Sequence, residues 1–367
     1  MGQIHLLYKR NSWLEVYFDY KNSSYLVIED YFHKRKFLFE NVVFFHVLSF
    51  CSTFTQKNKI TQFLQTNFKL SKSEIYEIIN QLLEKNLLIT KSSACYIAEK
   101  KSKKWRKYNW YDALDYFISI KDYPFLDYES PEARNVDSGL MEAYFKKNPI
   151  PQIYKHYNGV KKIQLEQDHS SLSKVDLKDL LIEKVFDADS TQLPLTRRQI
   201  STIFYTTFGE TGKVEFPLQG KFLLKTSPSG GARHPIEAYL ISINTEIPRG
   251  IYHYSVKTNS LEEISSRVNM KLIHDTIYEL TTGPQFEIKA IIVFSAVFPR
   301  SMWRYREPRS YRVILHDLGH LLETMKIVCK AVGTKSYYGH GFHDSKIAKL
   351  LKISGSDEAV LKFAAIS

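Results

Sequence analysis

The stretch Ser227-Pro228-Ser229-Gly230-Gly231-Ala232-Arg233-His234-Pro235 crowds hydroxyls, paired glycines, a guanidinium and an imidazole together, directly ahead of a strand-like run. Adjacent glycines permit positive φ and close backbone approach, so that main-chain N–H groups can face a ligand. Short hydroxyls and the planar fork of Arg233 suit phosphate or ring carbonyl oxygens. Such a loop calls for an electron-rich, oxygen-bearing ligand, although the same residue types also make ordinary turns. Two further clusters invite chemistry. His316 and His320 stand four apart in HDLGH, a spacing that can hold zinc on a helix, but no HExxH glutamate lies between them. His340 and His343 in GHGFH have only Asp344 beside them, which favours a cofactor-side role over a metal site. Ser229 as a hydrolytic nucleophile lacks the GxSxG elbow.

The elements around the loop follow from periodicity. EAYLISIN, GIYHYSV, KAIIVFSAVF and the terminal AVLKFAAIS read as strands. A helix is expected from about Pro308 to Val332, with Ile314, Leu318, Leu321, Met325 and Val328 on one apolar face and Gly333 ending it. TRRQISTIFYTTFG places Ile200, Ile203, Phe204 and Phe208 at helical spacing, with Gly209 as a C′ stop. This irregular alternation indicates an α+β fold rather than a doubly wound sheet.

The first third reads as a unit of its own. SWLEVYFDY and SSYLVIEDYF are strand-like; NVVFFHVLSFCS, KITQFLQTNF and LSKSEIYEIINQLLEK have helical spacing, the last opening on a Ser71/Glu74 capping box. With NLLITKSSACYIAE as a β-hairpin wing, residues 1–110 form a winged-helix-like module. Residues 111–175 are expected to be a helical connector, and 176–367 a second domain.

Of a net charge of +12, most falls in residues 1–110, which hold 18 Lys and Arg against 9 Asp and Glu. An anionic partner follows. Nucleic acid is disfavoured because the third helix mixes Lys72 and Lys85 with Glu74, Glu77 and Glu84; peptide or subunit docking is the better expectation, and the basic run EKKSKKWRKYNW reads as a solvated linker. Three dispersed cysteines, Cys51, Cys95 and Cys329, without CxxC spacing suit a reducing cytoplasm. No secretory signal or membrane-length apolar window occurs.

In register, SPSGGARHPIEAYLI, GIYHYSVKTNSLEEI, WRYREPRSYRVILHDLGHLLETM and AVGTKSYYGHGFHDSKIAKLLKI resemble the SagB-type dehydrogenases of the FMN-dependent nitroreductase superfamily, oxidoreductases that modify ribosomally made peptides. The resemblance spans roughly residues 180–367. It implies a nitroreductase-like fold, an antiparallel or mixed sheet surrounded by helices, in a homodimer with FMN at the subunit interface. It also implies FMN contacts from Ser227, Ser229, Gly230, Gly231, Arg233, His234 and Pro235, and from Tyr338, Gly339, His340 and Gly341. The leader region of a precursor peptide, docked on residues 1–110, and other peptide-modifying enzymes are the implied partners.

Three departures from the family pattern shape the expected chemistry. Where members carry an Arg-rich phosphate grip, this chain has LIEKVFDADSTQLPLT, leaving Lys184 as its cation, with Arg197 or Arg198 as substitutes. The Lys-Tyr pair of azoline-oxidising members is Arg304-Tyr305 here. A lysine can be tuned to take a proton near neutral pH, whereas a guanidinium cannot. The loop REPRSY is one residue longer, which shifts Arg306 and Arg309. The reverse reaction therefore fits better: NAD(P)H-dependent reduction of dehydroalanine or dehydrobutyrine in a lantibiotic precursor to D-Ala or D-aminobutyrate. In it Arg304 stabilises developing negative charge and Tyr305 delivers the proton. Azoline dehydrogenation, or a non-catalytic flavin-fold scaffold that docks partner enzymes, are the alternatives.

Overall fold

The computed structural model describes residues 6–123, 132–167, 172, 178, 193–216 and 220–367. The chain divides into two compact units, Met1–Pro124 and Phe125–Ser367.

In the first unit β2 (Leu14–Phe18), β3 (Leu26–Asp30) and β4 (Arg35–Phe39) form an antiparallel meander, preceded by β1 (Leu7–Arg10). The helices α1 (Val43–Phe50), α2 (Lys57–Phe68) and α3 (Lys72–Glu84) pack Val47, Ile60, Leu64, Ile79 and Leu82 into a core from which solvent is excluded. The capping box forms: Ser71 Oγ accepts from Glu74 N at 3.3 Å, and Glu74 Oε2 accepts from Ser71 N at 2.8 Å. The expected wing does not. β6 (Leu88–Ile89) pairs with β1, which also pairs with β5 (Thr55–Gln56), so an upstream strand takes the place of the hairpin partner. A turn in which Ser93 Oγ accepts from Thr90 N at 3.0 Å then launches α4 (Ala94–Lys101), whose Cys95 packs with Trp13.

The basic run is not a linker either. It continues into α5 (Lys103–Lys107), where Trp105 stacks on Phe117 with ring centroids 5.6 Å apart. α6 (Tyr111–Ile120), at the start of the expected connector, buries Leu114 and Ile118 with Trp13, Ile89 and Cys95 of the first unit.

The second unit is built on an antiparallel sheet of order β14-β15-β13-β10-β11-β12-β7. Its strands are β7 (Lys162–Gln164), β10 (Ile236–Ser242), β11 (Gly250–Ser255), β12 (Ser260–Ser265), β13 (Ala290–Val297), β14 (Ser336–Gly339) and β15 (Glu358–Ile366). A separate hairpin pairs β8 (Glu210–Phe216) with β9 (Gly220–Lys225). α7 (Ala133–Lys147) precedes the sheet; α8 (Arg197–Phe208) and the long α11 (Ser310–Ala331) cover one face. α9 (Met270–Thr276) and α12 (Asp344–Leu351) cover the other, and α10 (Phe298–Met302) leads from β13 toward α11. Burial on both faces explains why β10 and β13 read as continuous apolar runs without polar alternation. The apolar stripe expected on α11 is buried as expected, and Gly333 ends that helix at φ +75°. Gly209, by contrast, is no left-handed stop: its φ is −62°, and a side chain there would collide with the Tyr205 carbonyl. DHSSLSKVDLKDLLIEK, expected to run into a helix, lies almost wholly outside the described residues. Among the described residues no helix is long and apolar enough to cross a membrane.

Candidate functional site

The Ser/Gly/Arg loop joins β9 to β10 and lies against α11. Gly231, Ala232 and His234 all adopt positive φ (59°, 51° and 45°), so the chain doubles back tightly between the two strands. Its hydroxyls are turned inward. Ser227 donates to Thr324 Oγ1 at 2.7 Å, and Ser229 donates to Asp317 Oδ2 at 2.6 Å. The second oxygen of Asp317 accepts from Gly230 N at 2.9 Å, while Ser229 Oγ accepts from His234 N at 2.9 Å. Asp317 is buried, and desolvation raises its pKa above the usual carboxylate value despite these donors. Thus Ser227, Ser229 and Gly230, expected to contact a cofactor, also build the loop through these bonds. Pro235 ties it to β13, its carbonyl accepting from Val297 N at 2.8 Å.

The glycines have packing reasons as well. A Cβ on Gly230 would strike Val313 of α11, and one on Gly231 would strike the Tyr305 hydroxyl. Tyr305 therefore rests against the turn, where Arg233 hydrogen-bonds its phenol. Arg233 also lies 4.7 Å from the centroid of Phe222. Arg304, next to Tyr305 in sequence, pairs with Asp137 on α7 at 2.7 Å, and its guanidinium lies 5.2 Å from the centroid of the Tyr305 ring.

The electrostatics around the loop are positive. Burial, then Lys225 and Arg300, lower the pKa of His234 to about 4, and its Nε2 lies 2.9 Å from the Leu223 carbonyl, so it is neutral at physiological pH. Burial lowers Lys225 itself to about 8. Arg300 donates to the His234 carbonyl at 2.9 Å and to the Gln152 carbonyl at 3.0 Å, and pairs with Glu237 at 2.6 Å. From Glu237 a buried chain runs through His253 to Glu262, with contacts of 2.9 and 3.2 Å. Burial pushes both glutamates up, but their cationic and hydrogen-bonding partners outweigh it and hold each near 2. The same neighbours raise His253 above its ordinary value against the effect of its own burial.

The second group of expected contacts lies elsewhere in the sheet. β14 is separated from β10 by β15 and β13, three strand spacings or about 14 Å. There Glu279 occupies the available donors: His340 N and Gly341 N donate to its Oε2 at 2.8 and 2.5 Å, and the Tyr337 hydroxyl donates to Oε1 at 2.5 Å. Side chains at Gly339 or Gly341 would collide with that carboxylate. Tyr338 packs on the core, and burial pushes its phenol far above the usual range. Lys184 lies outside the described residues. Arg197 is engaged by the Gln164 carbonyl. His316 and His320 are exposed, while Asp317 between them turns inward.

A cleft of about 730 Å³ adjoins the loop on the far side of Tyr305, between the segment around Pro149–Pro151 and residues 298–314. Sequence reading missed this cleft along with Asp317, Lys225, Arg300, Glu237 and Glu279. One signal was available: Asp317 interrupts an apolar helical stripe beside Ile314, Leu318 and Leu321, and a carboxylate there must have partners.

An electron-rich group suits these surroundings, because burial and, after it, the charges of Lys225 and Arg300 depress protonation of the His234 imidazole. On that chemistry the loop fits the phosphate-bearing, carbonyl-rich flavin expected from the sequence.

Residues 191–366 match the model of the nitroreductase family. The trifolitoxin-processing protein TfxB of Rhizobium leguminosarum bv. trifolii is 37% identical over 128 residues, 34% of this chain and 34% of its own length. The microcin B17-processing protein McbC of Escherichia coli is 29% identical over 135 residues, 34% of this chain and 47% of its own length. The chain thus spans about a third to a half of these relatives. Among solved structures, a chain of the Escherichia coli microcin synthetase McbBCD complex with truncated pro-MccB17 bound aligns with a TM-score of 0.42 and 18% identity, covering 67% of this chain and 98% of its own.

Proposed function

We propose that the protein, whose residues 191–366 match the nitroreductase family model, is an FMN-dependent oxidoreductase in the maturation of a ribosomally made peptide. The peptide-processing names of TfxB and McbC support the substrate class. The observation that carries the reading is the packing of Tyr305 and Arg233 on the Gly231 turn within a cationic field.

Bound FMN would supply two-electron hydride chemistry. Arg233 and the turn at Gly231 would hold it, Asp317 and Arg300 keeping that turn in shape. Reduction of a dehydroamino acid adds hydride at Cβ and a proton at Cα, with NAD(P)H as the hydride source. Tyr305 is the proton donor; the guanidinium on its phenol oxygen lowers the cost of the phenolate left behind. Anchored on Asp137, Arg304 is a pre-oriented hydrogen-bond donor to the peptide carbonyl, with its charge balanced locally.

One observation favours a second reading, azoline dehydrogenation: Lys225, at about 8, is a lysine able to act as a base near neutral pH beside the loop. The test is mass spectrometry of peptide incubated with the FMN-loaded protein. A gain of about two mass units per dehydrated residue with NADPH supports reduction, and a loss of about two on an azoline peptide supports the second reading. A colourless protein that takes up no FMN refutes both and leaves a scaffold. Light scattering tests the homodimer that belongs to this reading.

The basic first unit is proposed to dock an acidic leader, because Lys103, Lys104 and Lys107 project from α5 into solvent. Replacing all three with Glu should abolish leader binding; unchanged affinity at low salt removes that role.

A further inference from the structure

We propose that the cleft beside Tyr305 is the subsite that receives the apolar side chains flanking the modified residue of the peptide. The assignment rests on the peptide-oxidoreductase reading above and names which part of that substrate the site selects. Phe298, Met302, Trp303, Tyr311 and Ile314 line it, with Pro149 and Pro151 opposite. Prolines have no freedom in φ, and Trp303 is fixed by donating its indole N–H to the Asn148 carbonyl at 3.0 Å, so the cavity is already formed before anything enters.

Its mouth is open, with Met302 58% and Tyr311 42% exposed. The volume of about 730 Å³ exceeds one side chain and suits two or three residues of a peptide. The neighbouring cations do not prepare it for an anion. Arg304 pairs with Asp137, and Arg306 donates Nε to the Trp303 carbonyl at 2.9 Å while its guanidinium lies 4.4 Å from the Tyr144 ring. A neutral, apolar occupant matches such walls. Tyr305 forms the wall shared with the Gly231 turn, so an occupant of the cleft lies one side chain away from the proposed site of reaction.

The test uses the full chain loaded with FMN and two synthetic peptides, each with one dehydrobutyrine, flanked either by Phe and Leu or by Ser and Asn. The apolar peptide should be favoured about 10-fold or more through KM, the worth of burying one such side chain. Met302→Glu, at an exposed position, should erase most of that preference while flavin absorbance per chain and mass by light scattering stay unchanged. If both peptides are reduced equally well, the cleft assignment falls and the oxidoreductase reading survives. Loss of flavin from the variant would make the cleft the cofactor's seat, and a change in mass would make it a contact between copies; either overturns the proposal. If neither peptide changes mass, the oxidoreductase reading fails, and fluorescence anisotropy of the labelled apolar peptide decides the cleft alone. Binding weakened by Met302→Glu then upholds it, and binding indifferent to that change rejects it.

Discussion

Substituting Gly231 by Ala should dislodge Tyr305, and a double-mutant cycle can isolate that effect from backbone strain. At φ +59° an alanine carries a left-handed penalty of about 1–2 kcal/mol. Its Cβ would also overlap the Tyr305 hydroxyl, forcing the ring aside and breaking the hydrogen bond to Arg233, worth about 1.5–3 kcal/mol for a charged donor. Gly231→Ala should therefore lose about 2.5–5 kcal/mol, or about 5–20 °C in the midpoint of a unit this size. In Tyr305→Phe the nearest ring carbon would stand 3.2 Å from the new Cβ, which a small shift relieves. Because both single variants lose the same hydrogen bond, the double variant should be more stable than the sum of the singles implies, by about 1.5–3 kcal/mol. Urea unfolding of the four proteins, followed by circular dichroism and tryptophan fluorescence, measures the coupling. Additivity within about 0.5 kcal/mol would refute the contact and the placement of Tyr305 on the turn.

Three further outcomes are expected. Asp317→Ala orphans the Ser229 hydroxyl and the Gly230 amide and should destabilise by about 2–6 kcal/mol in urea titrations; Asp317→Asn, which keeps one acceptor, should recover part of it. The folded pKa of His234 near 4 lies below the unfolded 6.5, so the unfolded chain binds the extra proton and stability falls as pH drops through that window. The loss should reach about 1.6 kcal/mol between pH 6.5 and 5, and His234→Asn should flatten that slope in pH-resolved melts. Arg300→Met leaves Glu237 buried without its cation and should destabilise by about 3–5 kcal/mol; an unchanged urea midpoint would show that the pair does not hold the 152 and 234 carbonyls in place.

Local signals were legible before any coordinates. The Ser71/Glu74 box, the α11 stripe and the apolar runs of β10 and β13 are encoded within one element each, where period and caps suffice. The wing failed for a non-local reason: whether 88–101 makes a hairpin depends on β1, some eighty residues upstream, taking the pairing edge of β6. Trp105, likewise, turned a charged stretch into a helix by stacking on Phe117, a contact no composition rule contains.

The amino-acid sequence by itself determined the long α11 helix, the β10 and β13 strands, the tight Gly-Gly turn and the presence of hydroxyls, cations and a phenol suited to an electron-rich ligand. Only the tertiary structure decided which of those groups remain available. Ser229 meets Asp317 across 88 positions of sequence and Arg304 meets Asp137 across 167, while Glu279 caps the amides of 340 and 341 from 61 and 62 positions away. A donor's type is written at its own position, but whether it faces a ligand or an internal carboxylate depends on what the fold brings within about 3 Å, and no local pattern carries that information.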